Sequence, residues 1–161
     1  MATKIGIIGS GNVGSALNKG LSKAGYETRV SDESNVRDVA SGAEVVILAV
    51  PFMAIDDVLK KAGSALEGKV VIDATNTLTA QMGFAAQATS GAEELQKKIP
   101  KAKVVKAFNT VFAQHMDSGK LNGQQLAALV ASDDEAVRNQ VLKLAKDIGF
   151  DALNAGPLSN A

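Results

Sequence analysis

The chain has 161 residues, a length that favours one domain over residues 1–161, and its 46% hydrophobic and 21% charged residues argue against disorder and coiled coil. Seventeen basic residues balance seventeen acidic ones for a formal charge of +0, which argues against a nucleic-acid groove or a polybasic membrane anchor. The chain has no cysteine and a single histidine, His115, so a disulfide scaffold, a thiol nucleophile, a thiolate metal site and a histidine metal cluster are all excluded.

Short β-branched runs alternate with helical patterns along the chain, the signature of an α/β domain with a mostly parallel sheet. Lys4 to Ile8 reads as the first strand. A helix follows from about Asn12 to Ala24, with Val13, Leu17, Leu21 and Ala24 on one face, and Gly25 closes it. Thr28 to Val30 is the second strand. Only residues 32–44 separate it from the third, Val45 to Val50, so the helix there is one or two turns and the additional strand of a full mononucleotide half is absent. The second strand is therefore expected at the sheet edge.

Pro51 ends the third strand, and Ile55, Val58, Leu59, Ala62 and Leu66 give the next helix face. Lys69 to Asp73 is a strand. Residues 74–89 lack periodicity and form a loop long enough to suggest function. Ser90 and Glu93 read as a capping box for a short helix stopped by Pro100. Val104 to Ala107 and Leu126 to Val130 are further strands. Ser132 and Glu135 read as a second capping box, with Val137, Val141, Leu144 and Ile148 as that helix's buried face. A last strand lies near Phe150 to Leu153. The paired acids Asp56-Asp57 and Asp133-Asp134 read as helix first turns, Lys106 as a residue solvating a strand edge, and His115 as a surface residue.

Gly9-Ser10-Gly11-Asn12-Val13-Gly14 matches G-x-G-x-x-G between a strand and an amphipathic helix, with Asp32 and Glu33 about twenty residues on. Gly9 permits the tight turn, Gly11 lets backbone approach a pyrophosphate, and Gly14 lets the helix pack on the strand. Unpaired N–H groups at the helix start would receive the phosphate charge. This context points to dinucleotide binding. Ser31, Asp32, Pro51, Thr75, Asn76, Asn109 and Thr110 follow strand ends, and in a parallel sheet those ends share the edge where ligands bind. No general acid–base pair stands out, which suits hydride transfer, because alignment matters more there than a protein acid. A carboxylate at Asp32 favours NAD over NADP, with Arg29 and Arg37 as cations that could oppose that preference. The start of the chain carries no signal-peptide core and no run long enough to span a bilayer, so the expected location is the cytoplasm, with no membrane or nucleic-acid partner.

Lys4 to Gly14, Leu48-Ala49-Val50-Pro51, Val71 to Asn76, Val105 to Thr110 and Ala155 to Ala161 together resemble the coenzyme F420-dependent NADP oxidoreductases and their dinucleotide-binding relatives. The resemblance implies a Rossmann-like, doubly wound, three-layer α/β fold, with the helix and strand after the second strand shortened or absent. It implies NAD or NADP as cofactor and hydride exchange with coenzyme F420 or a flavin-like partner. By the same resemblance Ser10 to Val13 hold the pyrophosphate, Ala49, Val50 and Pro51 line the path from adenosine to nicotinamide, and Ala107 to Asn109 lie near the nicotinamide. Where family members often show Ser-Arg after the second strand, this chain has Asp32-Glu33. Family members also continue into C-terminal helices that complete the substrate pocket and a homodimer. With the sequence ending at Ala161, that contact and turnover are expected to be weakened. A dinucleotide-binding module without its own substrate pocket is the alternative to an oxidoreductase.

Overall fold

The computed structural model describes residues 3–75 and 90–161. Asn76 and most of the loop expected to be functional lie outside them. The elements in chain order are β1 (Lys4–Ile8), α1 (Asn12–Lys23), β2 (Glu27–Ser31), α2 (Val36–Ser41), β3 (Val45–Leu48), α3 (Ile55–Ala62), β4 (Val70–Asp73), α4 (Gly91–Lys98) and β5 (Lys103–Lys106). They continue with β6 (Lys120–Leu121), β7 (Gln124–Gln125), β8 (Ala127–Ala131), α5 (Glu135–Ile148) and β9 (Asp151–Gly156).

Among the described residues one seven-stranded sheet runs in the order β2-β1-β3-β4-β5-β8-β9. Every pairing is parallel except β5 with β8, which meet antiparallel at Lys106 and Ala131. β2 is the edge strand, and the six-residue α2 is all that separates it from β3. The fold is a Rossmann-like α/β fold with helices on both faces.

Strand alternation assigns the two cores. Ile5, Ile7, Ile47, Ile72 and Val105 pack with Leu17 and Leu21 of α1 and with Val137, Val141 and Leu144 of α5. Ile8, Val46, Leu48, Val71 and Val104 point the other way, onto Val36 and Val39 of α2, Ile55 and Val58 of α3 and Leu95 of α4. Each buried aliphatic side chain contributes about 1.5–3 kcal/mol. Such two-sided burial explains why β3, Val45–Leu48, carries no polar residue.

Several sequence-based boundaries shift. α3 stops at Ala62, because Gly63 takes a positive φ of 56° and the chain continues as a 3-10 turn that still buries Leu66. The last strand begins at Asp151 and extends to Gly156. The Ser90–Glu93 capping box is present with both reciprocal hydrogen bonds. The second is not. Asp134 caps α5, its Oδ1 accepting the Val137 N–H at 3.0 Å, while the buried Ser132 Oγ donates instead to the Val104 carbonyl at 2.9 Å. The acids Asp133 and Asp134 thus precede the helix, and Asp133 accepts the Leu158 N–H. The short β6–β7 hairpin turns on Asn122 and Gly123, both at positive φ, a geometry suited to the twist of paired strands.

Candidate functional site

β1 ends in a turn whose shape depends on missing side chains. Gly9 has φ +119°, and a Cβ there would lie 2.3 Å from the Ala49 carbonyl oxygen. A Cβ on Gly14 would lie 1.9 Å from the Gly9 carbonyl oxygen, so helix and turn touch backbone to backbone. Gly11 differs, because its Cβ would meet nothing within 4 Å. It is the N-cap of α1, and no side chain caps the first turn, which leaves the start of the helix, Asn12 and Val13 included, without a competing side-chain acceptor.

A cavity of about 280 Å³ opens beside this turn. Gly9, Ser10, Gly11, Asp32, Ala49, Val50 and Pro51 line it, together with Glu33, Val36, Ala54, Asp57, Val58 and Lys61. Seven residues singled out from sequence thus meet at one opening. Ser31, at the end of β2, is buried beneath; its carbonyl accepts the Gly9 N–H at 3.3 Å, and its Oγ has no hydrogen-bond partner among the described residues. Asp32 folds into its own turn, with Oδ1 accepting the Ser34 N–H at 2.7 Å and the Ser34 hydroxyl at 2.6 Å. Those hydrogen bonds, the hydroxyl's first, hold its carboxyl below the usual aspartate range, so the rim is anionic at neutral pH. Neither Arg29 nor Arg37 lines the cavity. The cation there is Lys61 of α3, absent from the sequence reading.

The family model for coenzyme F420-dependent NADP oxidoreductase matches residues 4–37 and 30–77, the stretch that carries this turn and rim. Over that stretch the chain is similar to that family. It is 28% identical to the F420-dependent NADP reductase of Methanocaldococcus jannaschii, over 88% of this chain and 66% of that protein. It is also 28% identical to the metalloreductase STEAP3 of Rattus norvegicus over 99% of this chain, and spans 35% of that protein's length. A solved structure described as an F420-dependent NADP reductase from Arthrobacter sp. FB24 superposes with a TM-score of 0.89 at 27% identity, covering 98% of this chain and 86% of that one.

The ends of β4 and β5 hold a second polar group. Asp73 and Lys106 are register partners, both buried, with Lys106 Nζ 3.3 Å from Asp73 Oδ2. Asp73 Oδ1 accepts the Thr75 N–H at 2.9 Å and its hydroxyl at 2.5 Å, and the Lys106 ammonium donates to the Thr75 carbonyl. Burial pushes the Lys106 pKa down, against the pull of Asp73. Lys106 is therefore no edge-solvating residue but a bolt between two strand ends. After it, Ala107 is buried, Phe108 takes a positive φ of 69° against the ring of Phe150, and Asn109 emerges half-buried at the edge. A non-glycine residue in that region costs about 1–3 kcal/mol, so packing must hold Phe108 there. Ala107 and Asn109 do not line the Gly9–Asp32 cavity. They stand at the end of β5, roughly 19 Å along the sheet from β2 at the usual strand spacing.

His115 lies in a 3-10 turn, half-buried beside Gln114. No helix among the described residues is long and apolar enough to cross a membrane.

Proposed function

We propose that the chain binds a nicotinamide dinucleotide along the strand ends from β2 to β5 and serves as the cofactor domain of an oxidoreductase. The carrying observation is the open space above Gly11, at an uncapped helix start beside a cavity that ends at Asp32. That combination fits a pyrophosphate: backbone can approach it without a side chain between, and the helix dipole favours its charge. Gly9, Ser10, Gly11, Asn12, Val13 and Gly14 would hold it. Asp32 above the buried Ser31 would face the adenosine ribose, and Ala49, Val50 and Pro51 would line the path onward to Ala107 and Asn109.

The bound dinucleotide would supply hydride, given to or taken from a second redox cofactor of the deazaflavin or flavin type. The protein's own part is alignment. The Asp73–Lys106–Thr75 contacts pin the ends of β4 and β5, and the turn at Phe108 sets where Asn109 emerges. Met53, after β3, and Phe112, beyond β5, are large apolar residues left 74% and 78% exposed, surfaces suited to a flat ring system.

Calorimetric titration with NAD, NADP and a deazaflavin tests this reading. Dinucleotide binding is expected, with weak hydride transfer to a deazaflavin or flavin, followed separately by nicotinamide absorbance. Absence of any dinucleotide binding would overturn it.

A further inference from the structure

The cavity beside Gly9–Gly11 contains a charge arrangement that the phosphate turn does not use. Its lining brings α3 opposite the loop after β2, and so sets Asp57 and Lys61 facing Asp32 and Glu33, which lie far away in sequence. Three carboxylates and one ammonium thus share one rim. Lys61 Nζ is 2.9 Å from Asp57 Oδ2, a pair four residues apart on the helix, with side chains 37% and 64% exposed. A pair this exposed contributes little to stability and can exchange partners readily. The hydrogen bond that Lys61 donates to Asp57 favours its protonated form, and the charge of Glu33 adds to that.

An adenosine ribose entering this cavity carries either a 2′-hydroxyl or a 2′-phosphate. The hydroxyl is a donor that a carboxylate can accept. The phosphate brings close to two negative charges and needs a cation to offset the acidic rim. Only Lys61 among the lining residues can supply one. We propose that Lys61 is the specificity-determining residue for the ribose 2′ position, and that Asp57 sets its availability by competing with a 2′-phosphate for the same ammonium. While Lys61 stays on Asp57, the rim favours a 2′-hydroxyl. When it swings away, it supplies the cationic contact that a 2′-phosphate needs. This inference rests on the dinucleotide reading of the cavity.

Titration of the unmodified chain, Lys61→Met, Lys61→Arg and Asp57→Asn with NAD and NADP tests it, with the ratio of the two dissociation constants as the readout. Both positions changed, Asp57 and Lys61, lie on α3 with exposed side chains, and circular dichroism checks that each variant is folded. Lys61→Met is expected to raise Kd(NADP)/Kd(NAD) by about tenfold, the order of one charge-assisted contact. Lys61→Arg should return the ratio toward its original value. Asp57→Asn should lower it, and added salt should weaken NADP binding more than NAD binding. A ratio unchanged in Lys61→Met, with both dinucleotides still bound, overturns this inference alone. Binding of neither dinucleotide by the unmodified chain overturns the site reading and this inference with it.

Discussion

Gly14 and Gly9 are in direct backbone contact: a Cβ on Gly14 would stand 1.9 Å from the Gly9 carbonyl oxygen. Glycine inside α1 costs about 1 kcal/mol of helix propensity relative to alanine. The contact explains why that cost is carried. Gly14→Ala should recover the propensity term but incur an overpacking penalty of about 3 kcal/mol, since backbone rather than a flexible side chain must move. The expected net effect is destabilisation of about 2 kcal/mol, read as a lower urea midpoint with an unchanged slope. An unchanged midpoint would show that the turn can yield, and the tight-contact account would fail.

Gly11→Val should behave in the opposite way. Gly11 has φ −76° and ψ −162°, a conformation open to any L-residue, and nothing occupies the space its Cβ would enter. The fold and urea midpoint should therefore be retained. Dinucleotide binding should be lost, because the branched side chain would fill the space proposed for the pyrophosphate. Wild-type affinity in a folded Gly11→Val variant would remove the phosphate turn from the proposed site.

The contrast between these glycines and Lys61 shows what was readable in the sequence. The turn, its flanking strand and helix, the edge position of β2 and the Ser90–Glu93 box depend on spacings of a few residues, which local chemistry dictates. Lys61 reaches Glu33 only because α3 crosses beside the loop after β2, and no periodicity carries that information. Lys106 follows two valines in β5 and reads as an alternating edge residue until its register with Asp73 is known. Ser132 and Glu135 had the right spacing for a capping box, yet the Ser132 hydroxyl is drawn across the sheet to Val104, and Asp134 begins the helix instead. The strands flanking Asn122-Gly123 are two residues each and exposed, too short for a pattern despite a strong turn signal.

The cap assignment has a pH signature. Asp134 accepts the Val137 N–H and pairs with Lys103 Nζ at 2.9 Å, and these interactions, the backbone one first, hold its carboxyl below the usual aspartate value. A depressed carboxylate pKa contributes stability above the unfolded value of about 3.9 and loses it as pH falls through the folded value. Asp134→Ala should lower Tm by a few degrees at pH 7, and the difference from wild type should shrink below about pH 4. Ser132→Ala loses a neutral hydrogen bond, so its deficit should stay constant over the same range. A pH-independent Asp134→Ala deficit would contradict the assignment.

The Asp73–Lys106 pair should couple strongly. Asp73 is 0% exposed, and Lys106→Met would leave its carboxylate with the Thr75 donors but without a cation. Removing one partner of a buried pair costs about 3–5 kcal/mol, whereas replacing both is often close to neutral. Lys106→Met should therefore be destabilising by about 3 kcal/mol, and Lys106→Met with Asp73→Asn should recover much of that loss. The pH dependence has a definite sign. Because burial lowers the Lys106 pKa, the unfolded chain holds that proton more tightly between the folded value and about 10.4, and wild-type stability gains with rising pH from this group. The Lys106→Met variant lacks the gain, so its deficit should widen as pH climbs toward the lysine range. Urea titrations of the four chains across neutral and alkaline pH read both effects at once. Additive single-variant losses, with a deficit that does not depend on pH, would mean that the two side chains are buried side by side without acting on each other.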